Sequence, residues 1–134
     1  RFILVKNIWK KSSKGNIMLC DRYKSEDIGV MDSKRLIYDN HSGLKKTISL
    51  KENKLYDSMP SPDILFYLTV PVDVAVQRNE DRIKKGKESE EFLRKRHLEN
   101  QNLNYKSKNL YRIDTNREYQ EVISEIKSLI WQYI

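Results

Sequence analysis

Hydrophobic positions along the chain fall into two alternating rhythms. Phe2, Val5, Ile8 and Trp9 recur at helical spacing with lysines between them, which predicts a helix over about 1–13. Lys14-Gly15-Asn16 supplies its stop, glycine being the usual residue beyond a helix end. The unbroken apolar run Ile17-Met18-Leu19-Cys20 then reads as a short buried strand of a parallel sheet. Residues 24–61 scatter Leu36, Ile37, Leu44, Ile48, Leu50 and Leu55 among polar positions, so one or two short helices are expected, with a turn at Asn40-His41-Ser42-Gly43. Ile64–Val70 carries the Phe, Tyr, Leu and Val of a second strand. Pro71 suits the first turn of a following helix, with Val72, Val76 and Ile83 as its buried stripe. A loop at about 86–90 leads to a charged helix over Glu91–Leu103. Tyr111–Asp114 is the last strand. Thr115-Asn116-Arg117-Glu118 fits a capping box for a final helix that buries Val122, Ile126, Leu129, Ile130 and Tyr133.

Strands alternating with helices, and no Asn-Gly hairpin between them, predict an α/β fold. Its sheet is expected to be parallel with right-handed crossovers. Hydrophobic residues make up 38% of the 134, which allows a core, though a thin one. The net charge of +7 favours anionic partners: nucleotides, nucleic acid or anionic lipid. Single-strand binders interleave exposed aromatics with Lys and Arg. Here Phe66, Tyr67 and Tyr133 fall in stripes that read as buried, which argues against nucleic acid. A lone cysteine, expected to be a buried thiol in the first strand, permits no disulfide within the chain and fits a reducing, cytoplasmic setting. No apolar stretch reaches membrane length and no signal peptide is evident.

Candidate chemistry concentrates at strand ends. Open α/β sheets bind ligands at the carboxyl ends of their strands. The first apolar run stops at Asp21-Arg22-Tyr23. Arginine grips phosphate through two parallel N–H bonds, and an aspartate can hold Mg²⁺ or its water. That pairing suits phosphoryl transfer; an ordinary strand end with a local ion pair has the same sequence. Arg78, Arg82 and Lys85 lie at i, i+4 and i+7, on one face of the expected helix. Like charges at that spacing cost an isolated helix about 0.2–0.5 kcal/mol, a penalty a polyphosphate opposite them would remove. The two histidines, His41 and His97, are far apart and have no clustered ligands.

The ordered set of Asp21-Arg22-Tyr23, Pro62-Asp63 before a strand, Arg78-x-x-x-Arg82 on the next helix, and a last strand ending in Asp114 resembles the thymidylate kinase family. The resemblance covers essentially the whole chain. It implies a three-layer P-loop kinase sheet with helices on both faces, and one partial nucleotide-kinase domain over 1–134 with a mobile lid at about 83–97. The family opens with a Gly-x-x-x-x-Gly-Lys-Ser/Thr loop, which Gly15, Gly29, Gly43 and Gly86 do not make. The chain is therefore expected to be the C-terminal two thirds of a longer kinase, lacking the first strands. Ile17–Cys20 and Ile64–Val70 would then flank a gap, and the chain alone would fold poorly and be inactive.

The activity the resemblance implies is transfer of the ATP γ-phosphoryl group to dTMP, with ATP and Mg²⁺ as cofactors. Asp21 would support the metal through water, Arg22 would clamp the acceptor phosphate and Tyr23 would line the acceptor pocket. Arg78 and Arg82 would serve the transferring group or the ATP side. Thr115, Asn116 and Arg117 would lie where the family seats adenine. The first helix, 1–13, would pack between subunits of a homodimer. Two departures stand out. The aromatic-Gln pair that helps cover the base is absent, and the family's serine beyond the tyrosine is matched only by Ser25, one residue early. Thr69 stands where the family has an aspartate near the metal. The first leaves open a related kinase with another acceptor, and the second a non-catalytic paralogue.

Overall fold

The computed structural model describes residues 2–30, 32–37, 40, 42–83 and 86–134, the side chains of 2–4 excepted. Its contacts divide into two compact units: 1–61 with 103–106, and 62–102 with 107–134. Each is described by itself.

The second unit holds the sheet. Strand β1, Ile64–Thr69, pairs in parallel with strand β2, Asn109–Asp114, from Ile64 opposite Asn109 to Thr69 opposite Asp114. Parallel strands need a long crossover. Helices α3, Val72–Glu80, and α4, Glu90–Asn100, supply it and pack on each other. The register explains the strand sequences. Phe66 stacks on Tyr111, its cross-strand partner, at 5.9 Å. Arg112 lies over the ring of Tyr67, its own partner, at 4.8 Å. The Tyr67 hydroxyl donates to the Asn100 carbonyl, tying the last residue of α4 to β1. Ile113, Val76, Leu93 and Val122 are the buried apolar residues of this unit. Val122 comes from helix α5, Tyr119–Trp131, where Ile126, Leu129 and Ile130 are half-buried. Tyr133 lies past the helix, exposed, its hydroxyl against that of Tyr111 rather than in a buried stripe.

The first unit contains helix α1, Phe2–Ser12, and helix α2, Gly43–Asp57. In α1, Val5 and Ile8 are half-buried and Trp9 is exposed. Gly15 ends its turn at φ +81, as the sequence predicts. One long helix occupies the segment expected to hold one or two short ones. It is held by polar groups rather than by an apolar stripe. Ser49, fully buried, and Asn53 both donate to the Leu36 carbonyl, and Glu52 accepts from the amides of Arg35 and Leu36. Leu44, Ile48, Leu50 and Leu55 stay exposed.

Several expectations are corrected. Ile17–Cys20 forms no strand. Ile17 and Leu19 are 73% and 91% exposed, and Cys20 is exposed rather than buried. The run pairs with no strand among the described residues, and without a ladder Ile17 and Leu19 turn to solvent while Met18 is half-buried. Helix α3 stops at Glu80, so Arg82 follows in irregular chain and shares no helical face with Arg78. Lys87 donates to the Glu80 carbonyl and Asn79 to the Glu88 carbonyl (3.0 Å), turning the chain back at that point. Ile83 is fully exposed instead of buried. Helix α4 ends at Asn100, and Leu103 is buried beyond it. His41, in the expected turn, and Lys85, on the expected basic face, lie outside the described residues, as do Arg1 and the Phe2 side chain. Among the described residues no helix is long and apolar enough to cross a membrane.

Candidate functional site at the strand ends

In the second unit, polar groups gather where β1 and β2 end. The ladder runs one residue beyond the strands: the Thr115 amide donates to the Thr69 carbonyl at 2.8 Å. The Thr115 hydroxyl donates to the same carbonyl at 2.9 Å, and the Thr69 hydroxyl donates to the Ile113 carbonyl at 3.2 Å. Helix side chains lean toward their own N-terminus, which lets Arg78, in the last turn of α3, reach back to the strand ends. Its Nη2 donates to the Thr115 carbonyl at 2.8 Å and its Nη1 to the Thr115 hydroxyl at 3.4 Å.

The turn after β2 departs from the expected capping box. Thr115 cannot cap, because its amide and hydroxyl are both committed to Thr69. Instead Asp114 Oδ1 accepts from the Asn116 amide at 2.8 Å, and α5 begins only after Glu118, whose side chain makes no capping bond. Arg117 donates to the Asp114 carbonyl at 3.1 Å and pairs with Glu125. That carboxylate holds the Arg117 guanidinium above its ordinary range. The structure thus brings Arg78, Thr115, Asn116 and Arg117 into one neighbourhood, and leaves Arg82 beyond the helix end.

The basic helix α4 is engaged with acids of its own unit. Ser89 caps it by accepting from the Phe92 amide, and Glu90 and Glu91 complement the positive end of its dipole. Arg94 bonds Glu90 and Asp73, each at 2.8 Å, and those two carboxylates hold its guanidinium above the ordinary range. Arg96 pairs with Glu88 at 2.5 Å. Sequence reasoning left open which basic residues of this helix matter. The Asp73–Arg94 pair carries no local sequence signal, because its partners are 21 positions apart.

In the first unit, Asp21-Arg22-Tyr23 sits in irregular chain. The Asp21 side chain is 97% exposed and that of Arg22 60%, with Arg22 Nε 3.9 Å from Asp21 and its Nη1 4.0 Å from Asp32. Asp32 went unrecognised in the sequence; it holds a left-handed backbone at φ +68. Tyr23 is half-buried and its hydroxyl donates to the Pro60 carbonyl. Burial, with Cys20 nearby, pushes the Tyr23 phenol above its usual range. Beside it Lys24 is buried against Glu26 at 3.2 Å. Ser25 is 2% exposed, and its hydroxyl has no hydrogen-bond partner among the described residues. Such an orphaned hydroxyl costs about 1–3 kcal/mol.

Among the described residues no three His, Cys, Asp or Glu side chains gather as a metal cage. Mg²⁺ rarely uses one; it keeps several waters and takes one or two carboxylates plus substrate phosphates. An exposed single carboxylate such as Asp21 fits that mode of binding.

A parallel strand pair joined through helices makes this an α/β protein. The chain belongs to the thymidylate kinase family, whose model matches residues 2–126. Membership implies the P-loop kinase fold. The chain is 31% identical over 132 residues to a thymidylate kinase of Thermosipho melanesiensis, covering 95% of the chain and 62% of that relative. It is 31% identical over 137 residues to one of Fervidobacterium nodosum (98% and 64%) and 29% identical over 140 residues to one of Mesomycoplasma hyopneumoniae (99% and 62%). The chain thus spans less than two thirds of the length of these relatives. No solved structure matches it significantly.

Proposed function

We propose that this protein is a nucleoside monophosphate kinase that transfers the γ-phosphoryl group of ATP to dTMP. The observation that carries the reading is the family match across residues 2–126, with relatives named thymidylate kinase aligned over nearly the whole chain. An oxygen of the dTMP phosphate attacks the γ-phosphorus, the bond to the β-phosphate oxygen breaks, and dTDP and ADP result. The acceptor is already an anionic nucleophile, so catalysis is positioning and charge neutralisation.

In this reading Arg22 clamps the acceptor phosphate and Tyr23 lines the acceptor pocket. Asp21 would hold Mg²⁺ through a water. The ion, when bound, neutralises the ATP phosphates. Arg78, Arg82 and the Thr115–Arg117 turn serve the ATP side. The segment at about 83–97 acts as a lid over ATP. The complete sheet has three layers, helix 1–13 packs between two subunits, and the protein works on soluble nucleotides in the cytoplasm.

The test is phosphoryl transfer from labelled ATP by the protein expressed from its complete gene, with dTMP offered beside other nucleoside monophosphates and deoxynucleosides. Label appearing in dTDP ahead of the other products is the expected result. Transfer to a different acceptor, or to none, would contradict it.

A further inference from the structure

Sequence reasoning offers Arg78 as a charge for phosphate. The structure gives it different work. Both terminal nitrogens of its guanidinium point at one residue, Thr115: Nη2 at the carbonyl, Nη1 at the hydroxyl. That hydroxyl has a single proton, which goes to the Thr69 carbonyl, so its remaining role toward Arg78 is as acceptor. Thr115 is therefore fixed from three directions: its amide and hydroxyl on β1, its carbonyl on α3. The next link is fixed too, because Asp114 holds the Asn116 amide and Arg117 holds the Asp114 carbonyl. The planar guanidinium fork suits such a two-point grip, which a lysine ammonium cannot reproduce.

We propose that Arg78 is a positioning residue. It locks Thr115, and with it the 114–117 turn, in the conformation that receives the base of the nucleoside triphosphate, and it acts on the base end of the donor rather than on the transferring phosphoryl group. This rests on the ATP-side reading above. The substitution of the family's aspartate by Thr69 belongs to the same arrangement: its hydroxyl is spent on the Ile113 carbonyl, bracing β2 just before the turn.

The experiment compares Arg78→Ala, Arg78→Lys, Thr115→Val and the Arg78→Ala/Thr115→Val pair in the protein expressed from its complete gene. Two readouts are used. The first is the split between kcat and KM, with ATP and with GTP as donor. Arg78→Ala should raise KM for ATP about tenfold, the scale of a lost charged hydrogen bond, and narrow the preference for ATP over GTP, with kcat within about twofold. Arg78→Lys should behave like Arg78→Ala, and the double variant should be less than additive. The second readout is amide hydrogen exchange at 114–118 without nucleotide, where Arg78→Ala should speed exchange about tenfold.

The proposal is overturned if kcat falls with KM unchanged, if Arg78→Lys keeps the wild-type KM for ATP, or if exchange at the turn does not change. A wild-type protein that transfers no phosphoryl group would overturn the function proposed above. The exchange readout would still decide the role of Arg78.

Discussion

Ile64–Thr69 and Ile17–Cys20 are similar stretches of sequence with opposite fates. Both are short, apolar and end near polar residues that invite a ligand. The first is a strand, in register with Asn109–Asp114 in a unit whose buried apolar residues include Ile113 and Val76. The second is irregular chain with Ile17 and Leu19 in solvent. Composition does not separate them; a hydrogen-bonding neighbour does. Strand preference reports how well a residue fits a pleated, half-buried surface, so it has little force where no such surface exists. The consequence reaches the chemistry. Arg78 and Thr115 are held by a ladder to within hydrogen-bond distance, whereas Asp21 and Arg22 sit on irregular chain with ion-pair separations near 4 Å.

That contrast can be broken from the ordered side. Ile113 is 1% exposed, the most buried large side chain of the second unit. Ile113→Ala should cost about 2–5 kcal/mol in urea unfolding, the range for deleting a buried aliphatic side chain. A loss under 1 kcal/mol would mean the sheet is not the stable part of the molecule.

A smaller effect probes the packing around Asp21-Arg22-Tyr23. The folded pKa of Tyr23 lies above its ordinary value, so the folded state favours the protonated phenol. Its contribution to stability is complete below pH about 10 and lost as pH rises through the raised folded value. Wild-type stability should therefore fall above pH 10. Tyr23→Phe, which also loses the bond to the Pro60 carbonyl, should be weaker by about 0.5–1.5 kcal/mol at neutral pH and fall less steeply in alkali. Identical alkaline slopes would show that Tyr23 is not buried in solution. Smallest of all, Leu19→Ser should change stability by less than about 0.5 kcal/mol, as at other exposed positions. A large loss would mean that the run Ile17–Cys20 packs against something.

Much of the second unit was legible in the sequence for a physical reason. Its strands carry β-branched and aromatic residues, α3 has a recognisable start at Pro71, and its order of elements is that of a parallel sheet. The illegible parts depend on partners distant in sequence. The clamp of Ser49, Glu52 and Asn53 on 35–36 has no periodic signature, so 24–61 looked shapeless. Thr115 looked like a cap because four residues match the motif; its hydroxyl is taken by Thr69, 46 positions earlier. The charge stripe Arg78–Arg82–Lys85 assumed a helix longer than the one that forms, and Lys87 on the Glu80 carbonyl marks its end. Family membership was legible because it rests on ordered motifs, which survive these local errors.

The most direct test of the central claim is Arg22→Ala in the protein expressed from its complete gene, read as kcat/KM for dTMP beside a thermal unfolding curve. Arg22 is exposed, so its loss should leave the unfolding temperature nearly unchanged. If it clamps the acceptor phosphate, kcat/KM should fall about a hundredfold or more, the scale of a lost two-point grip on a charged group. Turnover within about threefold of wild type, with the fold intact, would contradict the assignment of Asp21-Arg22-Tyr23 as the acceptor site.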